Sequence, residues 1–162
     1  PSVRFAQLEE LIQSCRLMWT EDHPNFEGVH YSITNASAPP LPEPVPRICI
    51  GAFGPKVGLP LVGRQADQWN CFFLGDDDWR MRLGIVRESA EKAGRDPLSI
   101  EVGTTIERPL PTTDAESEAL LEHLAHLREL EITHFTMDFG HPLTPEHVIR
   151  FAEQVIDVMR AS

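Results

Sequence analysis

The sequence predicts an α/β fold in which a parallel sheet is covered by helices, and three observations carry that expectation. Short apolar runs of strand length alternate with longer segments whose apolar residues recur at helical spacing. From residue 47 onward the alternation is strict, which argues for repeated strand–helix units joined by crossovers. Gly, Pro and Asp fall at the junctions, where they stop one element and start the next. Four such units follow an opening helix, a small hairpin and a proline-rich connector.

In the opening helix Phe5, Leu8, Leu11, Ile12, Cys15, Met18 and Trp19 draw one apolar stripe, with Ser2 placed as its N-cap. Asn25 to Ile33 reads as a hairpin outside the main core, because Phe26, Val29, Tyr31 and Ile33 alternate around Glu27-Gly28. Alternate prolines from Pro39 to Pro46 stiffen an extended connector.

Ile48-Cys49-Ile50 has no polar alternation, as expected of a parallel strand covered on both faces. Gly51-Ala52-Phe53-Gly54-Pro55 ends it. A weak helix follows over Pro60 to Ala66, since Gly58, Pro60 and Gly63 each subtract helical stability. Trp69 to Phe73 is the second strand. Asp76, Asp77 and Asp78 suit the positive end of a third helix, which carries Trp79, Leu83, Val86, Ala90 and Ala93 on one face and stops at Gly94. Ile100 to Ile106 is the third strand, and the next helix starts at Asp114 with Leu120, Leu121, Leu124 and Leu127. Ile132 to Phe139 is the fourth strand. Thr144-Pro145-Glu146 then opens the last helix with a cap, a first-turn Pro and a first-turn acid.

Four units are half of an eight-stranded barrel, which takes about 250 residues, so this chain does not close one alone. Either the sheet is open or another polypeptide supplies the rest. The net charge of -11 repels phosphate backbones and anionic lipid, and no run of Lys or Arg offsets it, so neither nucleic acid nor membrane is an expected partner. Cys15, Cys49 and Cys71 are odd in number and form no CxxC, which fits neither a disulfide framework nor a zinc site and suits a reducing cytoplasm. No apolar stretch nears the roughly 18 residues of a membrane span, and no signal-peptide pattern opens the chain. Pro1 in place of Met suggests processing or a fragment of a longer chain.

Five segments in order, RFAQLEELIQSCRLMWT with FEGVHYSI, PRICIGAFGP, LVGRQADQWN, AGRDPLSIEV, and ITHFTMDFG running into EHVIRFAEQV, together resemble the luciferase-like monooxygenase family. These are flavin- and deazaflavin-dependent oxidoreductases built on a TIM barrel. The resemblance implies that the chain is the C-terminal half of a (β/α)8 barrel. It further implies a single partial domain over 1–162, with the helix, hairpin and connector in 1–46 and the four units in 47–162. The implied cofactor is FMN or a deazaflavin coenzyme, and the implied partners are a small-molecule substrate and either the missing N-terminal half-barrel or a second copy. In the family the N-terminal strands hold much of the substrate pocket and, in many members, a proton-handling histidine. No residue here matches that histidine, so no catalytic residue is assigned. A reading from another class is a non-catalytic half-barrel that assembles through its open sheet edges.

The loop Gly51, Ala52, Phe53 and Gly54 leaves a buried strand before a helix, so its backbone N–H groups can face an anion or a flat ring. An ordinary tight turn has the same pattern. The family often shows two adjacent glycines here, whereas Ala52 and Phe53 separate Gly51 from Gly54; Phe53 either crowds a flavin or lines its pocket. Lys56 either places a charge on a phosphate or is simply solvated. Asp67, at the start of its strand, is expected to be structural, while Asn70, Cys71 and Phe72 approach the catalytic end and match the family's flavin-tail region. No Ser, Thr or basic residue lies between Cys71 and Gly75, so phosphate binding there would depend on backbone donors. Asp138, Phe139, Gly140 and His141 leave the last strand at its C-terminal end, where Asp138 either orients a ligand or caps the loop. His123 and His126 share a helix face, but two imidazoles complete no metal shell, and no metal is expected. Cys49 and Cys71 are expected to be small buried hydrophobes, and the three tryptophans core or interface aromatics.

Overall fold

A computed structural model describes residues 2–140 and 143–161. The element order is α1 (Ser2–Thr20), β1 (Phe26–Glu27), β2 (Ser32–Ile33), β3 (Cys49–Ile50), α2 (Gly58–Gln65), β4 (Gln68–Phe72), α3 (Asp76–Lys92), a 3-10 turn (Pro97–Ser99), β5 (Glu101–Glu107), α4 (Asp114–Glu129), β6 (His134–Asp138), α5 (Pro145–Phe151), a π-helical turn (Ala152–Ile156) and α6 (Asp157–Ala161). β1 and β2 form the antiparallel hairpin, and β3-β4-β5-β6 form the four-stranded sheet in that order. β3 runs parallel to β4, and β5 parallel to β6. This is the helix, hairpin and four strand–helix units that the pattern predicts. Among the described residues no helix is long and apolar enough to cross a membrane.

Two compact units divide the chain, one holding the residues up to Trp69 together with Met81–Ile100, the other Asn70–Arg80 and the residues from Glu101 onward. In the first, α1 is tied down by its polar face. Glu9 takes a two-pronged bond from Arg64 (2.9 and 2.8 Å), and one Arg16 guanidinium nitrogen reaches both Asp67 carboxylate oxygens (2.8 and 2.9 Å). Asp67 also accepts from the Ile48 N–H at 2.8 Å and faces Arg95 at 3.8 Å, which makes it the structural anchor expected at the start of β4. Although burial opposes its charge, the bonds from Arg16 and Ile48 win and hold the Asp67 carboxyl below the ordinary aspartate range. Glu10 accepts from three successive backbone N–H groups, Val29, His30 and Tyr31, at 2.9, 2.7 and 3.0 Å, and so fixes the hairpin tip to α1.

Several expectations need correction. The α1 stripe is only partly covered: Ile12 is buried, but Leu11 is 45% exposed. The side chain of Ser2, expected as the cap, falls outside those described. Val29 lies in the hairpin turn rather than a strand and is 89% exposed. Cys49 is exposed while Cys71 is buried, because within β3 it is Ile50 that takes the covered face, whereas Cys71 falls on a buried position of the β4 alternation. α2 starts at Gly58, two residues before the predicted Pro60, since Pro is tolerated in a first helical turn. Gly63, read as a weakness, is a contact: a Cβ there would sit 2.4 Å from the Val86 carbonyl oxygen of α3. The buried set here includes Leu59, Leu61, Val62, Ala66, Trp69, Val86 and Ala90.

In the second unit Leu120 and Leu124 of α4 and Val155 form a buried cluster against Phe135 and Met137 of β6 and Phe151. Trp79 is fully buried and donates its indole N–H to the Leu130 carbonyl at 3.0 Å, which satisfies the polar end of the ring. α4 begins with a capping box: Thr113 accepts from the Glu116 N–H and the Glu116 side chain accepts in return. Thr144 caps α5 as predicted, accepting from the His147 N–H.

Candidate functional site

The glycine loop belongs to the first unit. Ile50 is buried, and the loop after it is exposed apart from Ala52. Ala52 is held by packing and by its carbonyl, which accepts the Trp69 indole N–H at 3.0 Å. α2 starts directly against it, because a Cβ on Gly58 would stand 3.1 Å from the Ala52 Cβ. The Gly54 carbonyl accepts from the Leu59 N–H at 2.9 Å and so closes the turn. A Cβ on Gly54 would meet nothing closer than the Gly58 nitrogen at 4.0 Å, so the space over this residue is open. Phe53 is 39% exposed, and the Arg82 guanidinium of α3 lies 4.9 Å from its ring centroid. Lys56 is exposed on the turn that follows.

The other predicted site residues, Asn70, Cys71 and Phe72, lie in the second unit. Facing side chains on β4, β5 and β6 make a polar row: the Asn70 amide nitrogen is 3.4 Å from the Thr105 hydroxyl and 3.5 Å from that of Thr136. Both contacts are long. The Asn70 amide oxygen is buried with no hydrogen-bond partner among the described residues. Cys71 is buried, and its carbonyl accepts from the fully buried Thr104 hydroxyl at 2.8 Å. That acceptor is therefore committed to the core. Phe72, at the strand's C-terminal end, is 43% exposed.

At the C-terminal ends of β5 and β6 a cavity of about 520 Å³ is lined by Glu107, Arg108, Thr112, Asp138, Phe139 and His147, among others. Glu107 and Asp138 are register partners, so their carboxylates leave adjacent strands at the same level. Asp138 accepts from the Gly140 N–H at 3.1 Å, and Gly140 takes a φ of +65°, which is the loop-capping arrangement. His141 lies outside the described residues. His123 packs edge-on to Phe73 with its ring centroid 6.5 Å away; burial first, then the Arg108 charge, lowers its pKa. His126 lies 3.0 Å from Asp76. The described residues contain no cluster of three or more side chains suited to a metal ion.

Arg82, Thr105 and Thr136 were not marked by the sequence. Thr105 sits on a predicted strand two residues from Gly103, and its alternation gives the face but not the neighbour. Glu107 and Arg108 follow the rule that singled out Asp138, since they end a strand on the side where barrels place function.

The profile of the luciferase-like monooxygenase family matches residues 1–161. An F420-dependent glucose-6-phosphate dehydrogenase 2 of Rhodococcus jostii is 34% identical over 132 residues, which are 80% of this chain and 38% of that protein. The chain thus spans well under half the length of that relative. An F420-dependent secondary alcohol dehydrogenase, solved with an F420–acetone adduct, superposes with a TM-score of 0.79 at 19% identity, covering 97% of this chain and 62% of the other. A riboflavin lyase solved with a modified FMN gives a TM-score of 0.79 at 10% identity, covering 98% and 57%. The fold is that of one part of a (β/α)8 barrel, and the chain belongs to the luciferase-like monooxygenase family.

Proposed function

We propose that this chain forms the C-terminal half of a flavin- or deazaflavin-dependent oxidoreductase, a single partial barrel domain over 1–162 that works when the remaining strands are supplied by further chain or by a partner. The observation that carries the reading is the glycine loop: its outer side is exposed, and the space over Gly54 admits a close approach. A flat ring or a phosphate fits there, where a side chain would obstruct it. Bound at the loop, FMN or the deazaflavin coenzyme would supply the redox chemistry.

The chain's own residues would bind and shield. Gly51, Ala52, Phe53 and Gly54 offer backbone and one aromatic face, and Lys56 an exposed cation. Asn70 has an amide oxygen still to be satisfied, and the Phe72 ring stands exposed at the strand end. Cys71, buried and with its carbonyl committed to Thr104, would serve only by holding the strand that presents Asn70 and Phe72. Within the second unit, the cavity bounded by Glu107, Arg108 and Asp138 would offer room for a small molecule. Titration with FMN and with the deazaflavin coenzyme, followed by quenching of coenzyme fluorescence, tests the proposal. Saturable quenching by one of them is expected, and none with either, for the chain alone and with the remaining strands supplied, would refute it.

A further inference from the structure

β6 ends one side of the four-stranded sheet, so among the described residues its outer backbone edge has no strand beside it. Its side chains alternate between two unlike surroundings. Phe135 and Met137 point to the helix-covered face, where they pack against the buried Leu120, Leu124 and Val155. Beside them a groove of about 260 Å³ is lined by Leu124, Phe135, Met137, Phe151, Ile156 and Met159, among others. His134, Thr136 and Asp138 point to the opposite face and are exposed. His134 lies 3.8 Å from the Glu101 carboxylate, and the Thr136 hydroxyl is 3.5 Å from the Asn70 amide, so the two lower levels have polar neighbours. The top level is acidic. Asp138 is the register partner of Glu107, and among the described residues neither carboxylate has an ion-pair partner.

A strand added beside β6 continues the same alternation, because side chains at one level of neighbouring strands share a face. Its residues next to Phe135 and Met137 enter apolar surroundings, and the one next to Asp138 enters the field of two carboxylates. Opposite charge at that level adds to strand pairing and like charge subtracts from it. The net charge of -11 acts in the same direction, against a second copy of the chain and for a cationic strand. We propose that the β6 edge is a docking site for a parallel strand of different sequence, one that alternates apolar residues with polar ones and places a lysine or arginine beside Asp138. The inference rests on the partial-barrel reading above, which leaves this edge open, and adds the chemistry of what covers it.

The test is an amide-resolved NMR titration of the full chain, able to detect weak binding, with two strand-length peptides. In both, valine alternates with threonine, asparagine and a last polar residue, which is lysine in one and glutamate in the other. The lysine peptide should shift amides centred on His134–Asp138 and bind more tightly than the glutamate peptide by roughly tenfold, since reversing a charge beside two carboxylates counts twice. Asp138→Asn, which keeps an oxygen acceptor for the Gly140 N–H, should cut that ratio to roughly threefold, and adding Glu107→Gln should remove it. A lysine peptide with serine in place of valine should bind more weakly than its parent, because the apolar groove stays unfilled. Equal affinities for the lysine and glutamate peptides, shifts that lie away from β6, or no binding of either peptide overturn the inference. A chain that sediments as a dimer, with the same β6 amides shifting on dilution, would put a second copy at the edge and overturn it as well. The coenzyme titration is independent of this result: its failure leaves the peptide ratio as it is, and a missing ratio leaves the coenzyme reading standing.

Discussion

Gly63 and Gly84 each stand inside a helix of the first unit, and the same substitution should act on them with opposite sign. Alanine in place of a helical glycine gains about 1 kcal/mol of propensity when nothing interferes. At Gly84, on an exposed face of α3, a new Cβ meets nothing within 4 Å, so Gly84→Ala should stabilise by about that amount. At Gly63 it would stand 2.4 Å from the Val86 carbonyl oxygen, 2.6 Å from the Ser89 Cβ and 2.8 Å from the Ala90 nitrogen. Two of these are backbone atoms of α3 and cannot rotate away. α2 would have to withdraw, and overpacking of this severity costs about 3 kcal/mol. Less the propensity gain, Gly63→Ala should destabilise by about 2 kcal/mol, leaving the pair about 3 kcal/mol apart. Urea unfolding followed through tryptophan emission, with Trp69 fully buried in the same unit, reads both midpoints. Two stabilised variants would refute the close approach of α2 to α3.

Replacing Glu10 by Gln leaves one oxygen acceptor for three backbone donors, so amide exchange at Val29, His30 and Tyr31 should quicken with little change in the global midpoint. Desolvation works against the Glu10 charge, but those three bonds outweigh it and lower the pKa. Its tether is therefore complete above the ordinary glutamate pKa and is lost as pH falls through the lowered value; the Gln variant should show no such acid loosening. Thr113→Ala removes the cap of α4 and should cost about 1 kcal/mol in urea unfolding. Its box partner Glu116 is brought down to about 2 by bonds from Thr112 and Thr113, so the stabilisation it adds is whole above the ordinary glutamate pKa and fades as pH drops toward 2. An acid limb identical in Glu116→Gln would contradict that assignment.

The periodicity of apolar residues was enough to order the four strand–helix units and to put Thr144 at its cap, because both are local properties of the chain. What it missed is set by neighbours far along the sequence. Asp67 was legible as structural from its place at a strand start, whereas its partner Arg16 stands 51 residues away on α1. Gly63 looked like a helix weakness because the α3 backbone that requires it is invisible to a window of seven residues. Cys49 carried the apolar signal of a strand covered on both faces, whereas within β3 only Ile50 takes a covered face. At the candidate site the loop itself was readable from Gly51 and Gly54. Arg82 was not, because a cation in the middle of an amphipathic helix looks solvated until the Phe53 ring is found against it.

The most direct measurement is a coenzyme titration of the Gly54→Val variant beside the unaltered chain, with unfolding recorded on both. The added Cβ meets nothing closer than 4.0 Å, so the unfolding midpoint should move little. Binding of FMN or the deazaflavin coenzyme should be lost, since the side chain would stand where the ligand approaches the loop. Binding that survives unchanged in a folded Gly54→Val protein would contradict the account.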